Sequence, residues 1–475
     1  MIELRQNSRP TIVIDGDTLA GWTAAAVLCR ELADMLRVVV RGDRSHAAQQ
    51  PQTAVLDGES VWLARCGLSA DRLLRQCDGG FALATRFAGF APGGQDAWLA
   101  SGEPLPAVDG IALHQIVLRA AFEQGQPELL RELYAPLAFQ ARTAAAGRMA
   151  APAHDRSSPR SLLRPAIRVD AHKLTDLLKN IAIDAGAQTG VSDESAWLHL
   201  DCRDRSLIQR GSPTFAYVTT AFAKATEELP LPHDPFDTVQ TAGGGLLHSA
   251  PLRSGSALTF WHNDTEGDLH DRLSLLLAGH SVELLGTKAL QTTWDRPFWK
   301  GRTITLSLDA AFPGPIAGSN SAILSMQIEK LLTHLPPISV TNFEPHARAY
   351  NRTIGAITSH YDDLIKLPLM RGGRTNRDCG FRVFEPSANL ARRLREFERR
   401  GRHVMIDHDP FEKSVWVELM ISLGLNPSMY DRGADGVDLP QQSKRLGQMI
   451  SAFDKTIAAL PSHAAFLAWA LEANA

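Results

Sequence analysis

Cysteine is scarce in this chain of 475 residues, with five in all, at positions 29, 66, 77, 202 and 379. The number is odd and no two stand as Cys-x-x-Cys, so neither a disulfide framework nor a zinc site is indicated. Long apolar runs are missing as well. None approaches the roughly 18–20 residues of a membrane span, and residues 1–6 hold nothing like the apolar stretch of a signal peptide. A dominant charge sign is also lacking. The 49 Lys and Arg stand against 52 Asp and Glu, for a net charge of −3, which leaves no basic footprint for nucleic acid. We find no internal repeat and no low-complexity tract. These absences lead us to expect a reduced, cytoplasmic protein that binds neither nucleic acid nor membrane.

What is present is the composition of an ordinary globular chain, 44% hydrophobic and 21% charged, long enough for a large core. Thr11-Ile12-Val13-Ile14 is a β-branched run that reads as a buried strand. A turn follows at residues 15–21, then an Ala- and Leu-rich helix at 22–36, then a second strand at Val38-Val39-Val40. Strand, turn, helix and strand in that order open a doubly wound parallel sheet. Residues 147–160, with Gly147, Pro152 and Pro159, read as a mobile surface loop. A helix resumes at 170–185. Residues 238–260 read as β structure broken at Gly243-Gly244-Gly245, and 302–306 as a strand before a helix at 321–332. The last third is helical. Leu390, Leu394 and Phe397 form an apolar stripe that Gly401 ends, with the intervening arginines facing water, and Leu446, Met449, Ile450, Phe453 and Ile457 form a second stripe. The expected class is α/β, with a Rossmann-like module over 1–345 that includes an inserted β region, and a helical module over 346–475.

The first turn has the frame of a dinucleotide site. Glycines allow a tight turn and close approach of backbone to pyrophosphate, and the helix N-terminus offers a positive dipole end. Gly16 and Gly21 take the first and third glycine places, with Ala20 and Trp22 at the helix start. The middle place holds Thr18, whose side chain is expected to stand toward the phosphates. The acid that usually receives the ribose hydroxyls about 20 residues on is replaced by Arg41, with Asp43 two residues late. Asp15 and Asp17 add negative charge. On this reading dinucleotide affinity is weak or lost, and the pair of changes Thr18→Gly and Arg41→Glu would improve it.

Several segments then fall into a known order. Residues 14–26, with Gly21-Trp22 before a small-residue helix, Gly58-Glu59-Ser60, residues 164–186, His360-Tyr361, residues 411–416, residues 424–427 and Leu460-Pro461-Ser462-His463 together resemble the flavin-dependent tryptophan halogenases over nearly the whole chain. The resemblance implies a flavoprotein monooxygenase fold. It implies FAD as cofactor and, as partners, a flavin reductase and a small aromatic substrate. In that family reduced FAD and oxygen oxidise chloride or bromide, a lysine near the substrate holds the halogenating species, and a glutamate assists. Carried over position by position, these groups are absent. Phe81-Ala82-Leu83-Ala84 matches the family's Phe-Lys-Leu-Gly, so Ala82 stands at the lysine. Gly314-Pro315-Ile316-Ala317-Gly318-Ser319-Asn320 matches Glu-Pro-Leu-Glu-Ser-Thr-Gly, so Ala317 stands at the glutamate while Pro315 is kept. Leu246-Leu247-His248-Ser249-Ala250-Pro251 matches Trp-x-Trp-x-Ile-Pro, keeping the proline and offering His248.

His248 reads either as a general base in a hydroxylase-like site or as a structural histidine. Asp309 reads as a partner for the flavin ribityl chain or as a turn aspartate, and Ser60 belongs to the cofactor side. The run Asp407-His408-Asp409 points its side chains apart and has no further ligands at useful spacing, so no metal site is expected. Three functions fit: an FAD-dependent monooxygenase acting on an indole or peptidyl aromatic, a pseudoenzyme serving as a partner or binding subunit in a homodimer or heteromer, or a halogenase working through replaced residues.

Overall fold

A computed structural model describes residues 9–32, 34–42, 52–57, 61–100, 102–190, 196–203, 215–224, 233–242, 244–263, 280–289, 297–308, 319–371 and 385–473. Ser60, Asp309, Pro315 and Ala317, named above, lie outside them. The chain forms two compact units, each assembled from three stretches of sequence. The first comprises residues 1–80, 167–231 and 252–362, and the second 81–166, 232–251 and 363–475.

The first unit is built on a six-stranded sheet. Strand β1 (Thr11–Asp15) is fully buried over its first four residues and leads through helix α1 (Leu19–Leu32) to β2 (Arg37–Arg41), which pairs parallel to β1. This is the expected order. The helix begins three residues before the expected position 22, because the turn is tighter and Thr18 supplies its first hydrogen bonds. On the other side of β1 lies the parallel strand Leu198–Asp201, followed by Thr303–Thr305. Helix Ala171–Asp184 starts on its own cap, the Asp170 carboxylate accepting from the His172 and Lys173 amides. An antiparallel set, Tyr217–Lys224 between Gly255–His262 and Val282–Ala289, completes this unit.

The second unit carries a sheet in the order Gly245–Leu252, Phe236–Ala242, Ala84–Phe87, Ala97–Leu99. It also holds the helices Leu113–Glu123, Ala388–Arg400, Lys413–Ser422, Leu439–Ala459 and His463–Ala473. Its apolar core includes Leu83, Phe139, Met149, Leu163, Phe236, Phe453 and Ile457. The loop expected at 147–160 is pinned at its start. The Met149 amide donates to the Pro461 carbonyl at 3.2 Å, and the His463 amide to the Gly147 carbonyl at 2.9 Å. No helix among the described residues is long and apolar enough to cross a membrane.

One sequence expectation fails here. Leu390, Leu394 and Phe397 do face the core and Gly401 ends their helix in the left-handed conformation. Arg393, however, does not face water. Its side chain is fully buried, paired with Asp409 at 2.6 Å, hydrogen-bonded to the Val404 carbonyl and stacked over Trp416 at 4.3 Å. A helix face with three apolar anchors pulls its fourth member in, and the guanidinium then needs this carboxylate. Removing one member of a buried pair strands the other charge, at a cost of about 3–5 kcal/mol. Arg393→Ala is therefore expected to lower the free energy of urea unfolding by that amount. Unfolding at the natural midpoint would show the pair to be energetically idle.

Candidate functional site

Two places gather chemistry, one in each unit. In the first unit, β1 lies at the point where the strand order reverses, with β2 on one side and Leu198–Asp201 on the other. Ligands of open parallel sheets bind outside the carboxyl ends of the strands at such a point. Arg41, Asp15, Asp201 and Thr305 form one row across those ends.

The turn after β1 is closed by main-chain contacts. The Gly16 amide donates to the Arg41 carbonyl at 2.8 Å, and the Cys202 amide to the Asp15 carbonyl at 2.8 Å. Gly16 has φ +134°, and a Cβ there would sit 2.7 Å from the Cys202 backbone. At Gly21 a Cβ would meet the Gly16 carbonyl oxygen at 2.2 Å. Both glycines are thus required by the turn itself.

Thr18 behaves differently from the expectation. Its hydroxyl donates to the Cys202 carbonyl at 2.7 Å and accepts from the Gly21 amide at 3.1 Å, the bond of a helix N-cap. The side chain is buried and turned inward. Asp17 is likewise committed: its carboxylate accepts from the Trp22 indole and pairs with Lys179 at 3.3 Å, whose ammonium lies 5.0 Å from the Trp22 ring centroid. Arg41 forms a two-point ion pair with Asp15, and Arg203 forms one with Asp201 at 2.9 and 3.1 Å. The paired change Thr18→Gly, Arg41→Glu would therefore remove a cap and set two carboxylates in register on adjacent strands. It is expected to lower the melting temperature rather than raise FAD affinity, and calorimetry with and without FAD decides between the two. The buried thiols offer no nucleophile here. Burial pushes Cys29 up to about 11 and Cys66 and Cys77 to about 12, and Cys202 higher still.

In the second unit, the hairpin Phe236–Ala242 and Gly245–Leu252 sets Val239 opposite His248. Asp237, two residues along and on the same face, accepts from or shares a proton with His248 Nε2 at 2.8 Å. The Asp237 side chain is buried and the His248 ring mostly so. This carboxylate was missed in the sequence, where β structure was read from residue 238. Pairing the strands across the turn at Gly244 would have placed it one diagonal from His248. The segment that holds Ala82 lies beside the same strand. The Leu83 amide donates to the Pro235 carbonyl at 2.7 Å, and Ala84 pairs with Phe236. Ala82 is itself buried. His463 is buried with Nδ1 2.6 Å from the His233 carbonyl, and Phe81 lies edge-on to its ring. Asp409 of the acid-histidine-acid run is taken by Arg393.

A profile of the tryptophan halogenase family matches residues 11–205 and 257–439. The chain belongs to the tryptophan halogenase family. Among solved structures it resembles BrvH, a flavin-dependent halogenase from Brevundimonas sp. BAL3, with TM-score 0.82 and 19% identity over 97% of this chain and 99% of that one. Xcc4156, a flavin-dependent halogenase from Xanthomonas campestris, gives TM-score 0.80 and 19% identity over 97% and 98%. Tar14, a tryptophan C-6 flavin-dependent chlorinase from taromycin biosynthesis, gives 0.77 and 15% over 97% and 100%. No curated protein sequence matches the chain. The fold is accordingly the Rossmann-like, FAD-binding α/β fold of the flavin-dependent halogenases, with a helical C-terminal region.

Proposed function

We propose that this family member is an FAD-dependent monooxygenase that acts on an indole or another aromatic substrate without transferring halogen. The observation that carries the reading is the His248–Asp237 pair, a mostly buried imidazole oriented by a buried carboxylate in the segment that resembles the family's Trp-x-Trp-x-Ile-Pro. Such a pair holds one tautomer and stabilises the protonated ring, which suits it to take a proton from a phenol or indole N–H. When bound, reduced FAD supplies the electrons and activates oxygen. The turn from Gly16 through Thr18, Ala20 and Gly21 to Trp22 would hold its pyrophosphate, and the family resemblance assigns Ser60, Asp309 and Pro315 to the same cofactor. The geometry supports this fit, since Thr18 and Asp17 are both turned to protein partners. Arg41 remains as a reason for reduced affinity, because a guanidinium cannot accept the ribose hydroxyls.

A second reading, a non-catalytic partner subunit, is favoured by one observation: Arg41 and Asp15 bind each other at the strand ends. The absorbance spectrum of the purified protein, before and after FAD is added, separates the two. We expect a flavin band in the 1:1 complex and substrate-dependent oxygen uptake when a flavin reductase and an indole panel are supplied. Absence of any FAD binding would remove the enzymatic reading and leave the partner subunit.

A further inference from the structure

The second unit contains a cavity of about 210 Å³ that includes neither His248 nor Asp237 in its lining. Its size lies between the ~150 Å³ that takes one benzene ring and the ~300 Å³ at which ordinary ligand pockets begin. The walls are mainly small and apolar, with Ala138 and Ala141 from the helical segment after residue 129, Ile421 from helix Lys413–Ser422, and Trp98. Two carboxyls line this space. That of Asp96 is engaged by the Gly89 amide at 3.1 Å and by Arg86 at 3.9 Å. The other belongs to Glu418, and its hydrogen-bond partner is the hydroxyl of buried Tyr134.

Among the described residues no cation pairs with that carboxyl, although two arginines line the same cavity. Arg131 donates to the Ser422 carbonyl at 3.0 Å and the Asp96 carbonyl at 2.9 Å. Arg142 donates to the Pro136 carbonyl at 2.9 Å and pairs with Asp454. Burial accordingly pushes Glu418 up to about 7, a rise that the Tyr134 hydrogen bond only partly offsets. A carboxyl kept neutral by desolvation becomes a strong acceptor once a cation enters beside it.

We propose that this cavity is a binding site for a small aralkyl amine, whose ring fills the space between Trp98, Ala138, Ala141 and Ile421 and whose ammonium pairs with Glu418. The amine enters as the cation and Glu418 gives up its proton to solvent, so charge and protons balance. Arg131 and Arg142 are already held by protein acceptors, and the isosteric acid would set a carboxylate against Glu418.

The test is titration calorimetry of the full chain with 2-phenylethylamine, 3-phenylpropionate and 2-phenylethanol. We expect the amine to bind and the acid not to. With Glu418 near 7, amine affinity is expected to be about tenfold tighter at pH 8.5 than at pH 6.0. Close to one proton should be released at pH 6.0, read from buffers of different ionisation enthalpy. Glu418→Gln should weaken the amine at least about tenfold and abolish proton release while leaving the alcohol unchanged. Ala141→Phe should block all binding by filling the cavity, and decides the matter if the Gln variant does not fold. His248→Ala should leave amine binding unchanged, so failure of the oxygenase reading would not disturb this result. No amine binding, equal binding of the acid, or amine binding insensitive to both cavity variants would overturn the proposal.

Discussion

Free tryptophan is expected to emerge unhalogenated when the protein is supplied with reduced FAD, oxygen and chloride or bromide. The family's amine would stand at position 82, and a methyl group there can neither carry nor orient an electrophilic halogen. Loss of such positioning lowers rates steeply, since well-oriented intramolecular steps gain about 7–11 kcal/mol. The family's glutamate would stand at 317, where alanine removes proton-transfer assistance typically worth about 10²–10⁴-fold. Restoring the lysine alone should fail for two reasons. Groups that act as a unit are not additive, and position 82 is 5% exposed beside Leu83 and Ala84, so an ammonium would be desolvated there. Mass spectrometry of an assay with a flavin reductase, both halides and a panel of indoles checks this. Halogenated product formed by the native protein and absent when heat-denatured protein replaces it would place halogenation back as the activity.

The sequence carried some of these features openly and hid others for physical reasons. The strand–turn–helix–strand of residues 11–41 was readable, because β-branched runs and a small-residue helix are local signals. The direction of Thr18 was not. It depends on the Cys202 carbonyl, 184 residues away, and a threonine that caps a helix looks the same in sequence as one that blocks a phosphate. Arg393 was hidden for a similar reason. Its burial depends on Asp409 and Trp416, and arginine between apolar anchors normally snorkels to water. The two units interleave three times along the chain, which no local periodicity reports. Asp237 was nearly legible, since only hairpin register separates it from His248. Ser60, Asp309, Pro315 and Ala317 rest on the resemblance alone.

The largest effect on turnover from a single change is expected at His248. If the imidazole takes the substrate proton, His248→Ala should lower turnover by about 10²–10⁴-fold and leave the flavin spectrum as it was. Asp237→Asn tests the pair from its buried end. The amide has the carboxylate's shape but can present an N–H to the ring, which disfavours the required tautomer and removes the charge that stabilises the imidazolium. Turnover should fall in this variant too, with the flavin spectrum unchanged, whereas a purely structural pair predicts turnover that tracks the folded fraction alone. Because Asp237 is fully buried, the Asn variant also carries a stability cost of about 1–3 kcal/mol for an imperfect hydrogen bond, so unfolding must be measured beside activity. The double variant separates the two roles. Residues that act through one another lose no more together than the more damaging change does alone, whereas independent structural losses add. Near-natural turnover in His248→Ala, in protein with a normal melting temperature and bound FAD, would remove His248 from the chemistry and leave it as a strut between two strands.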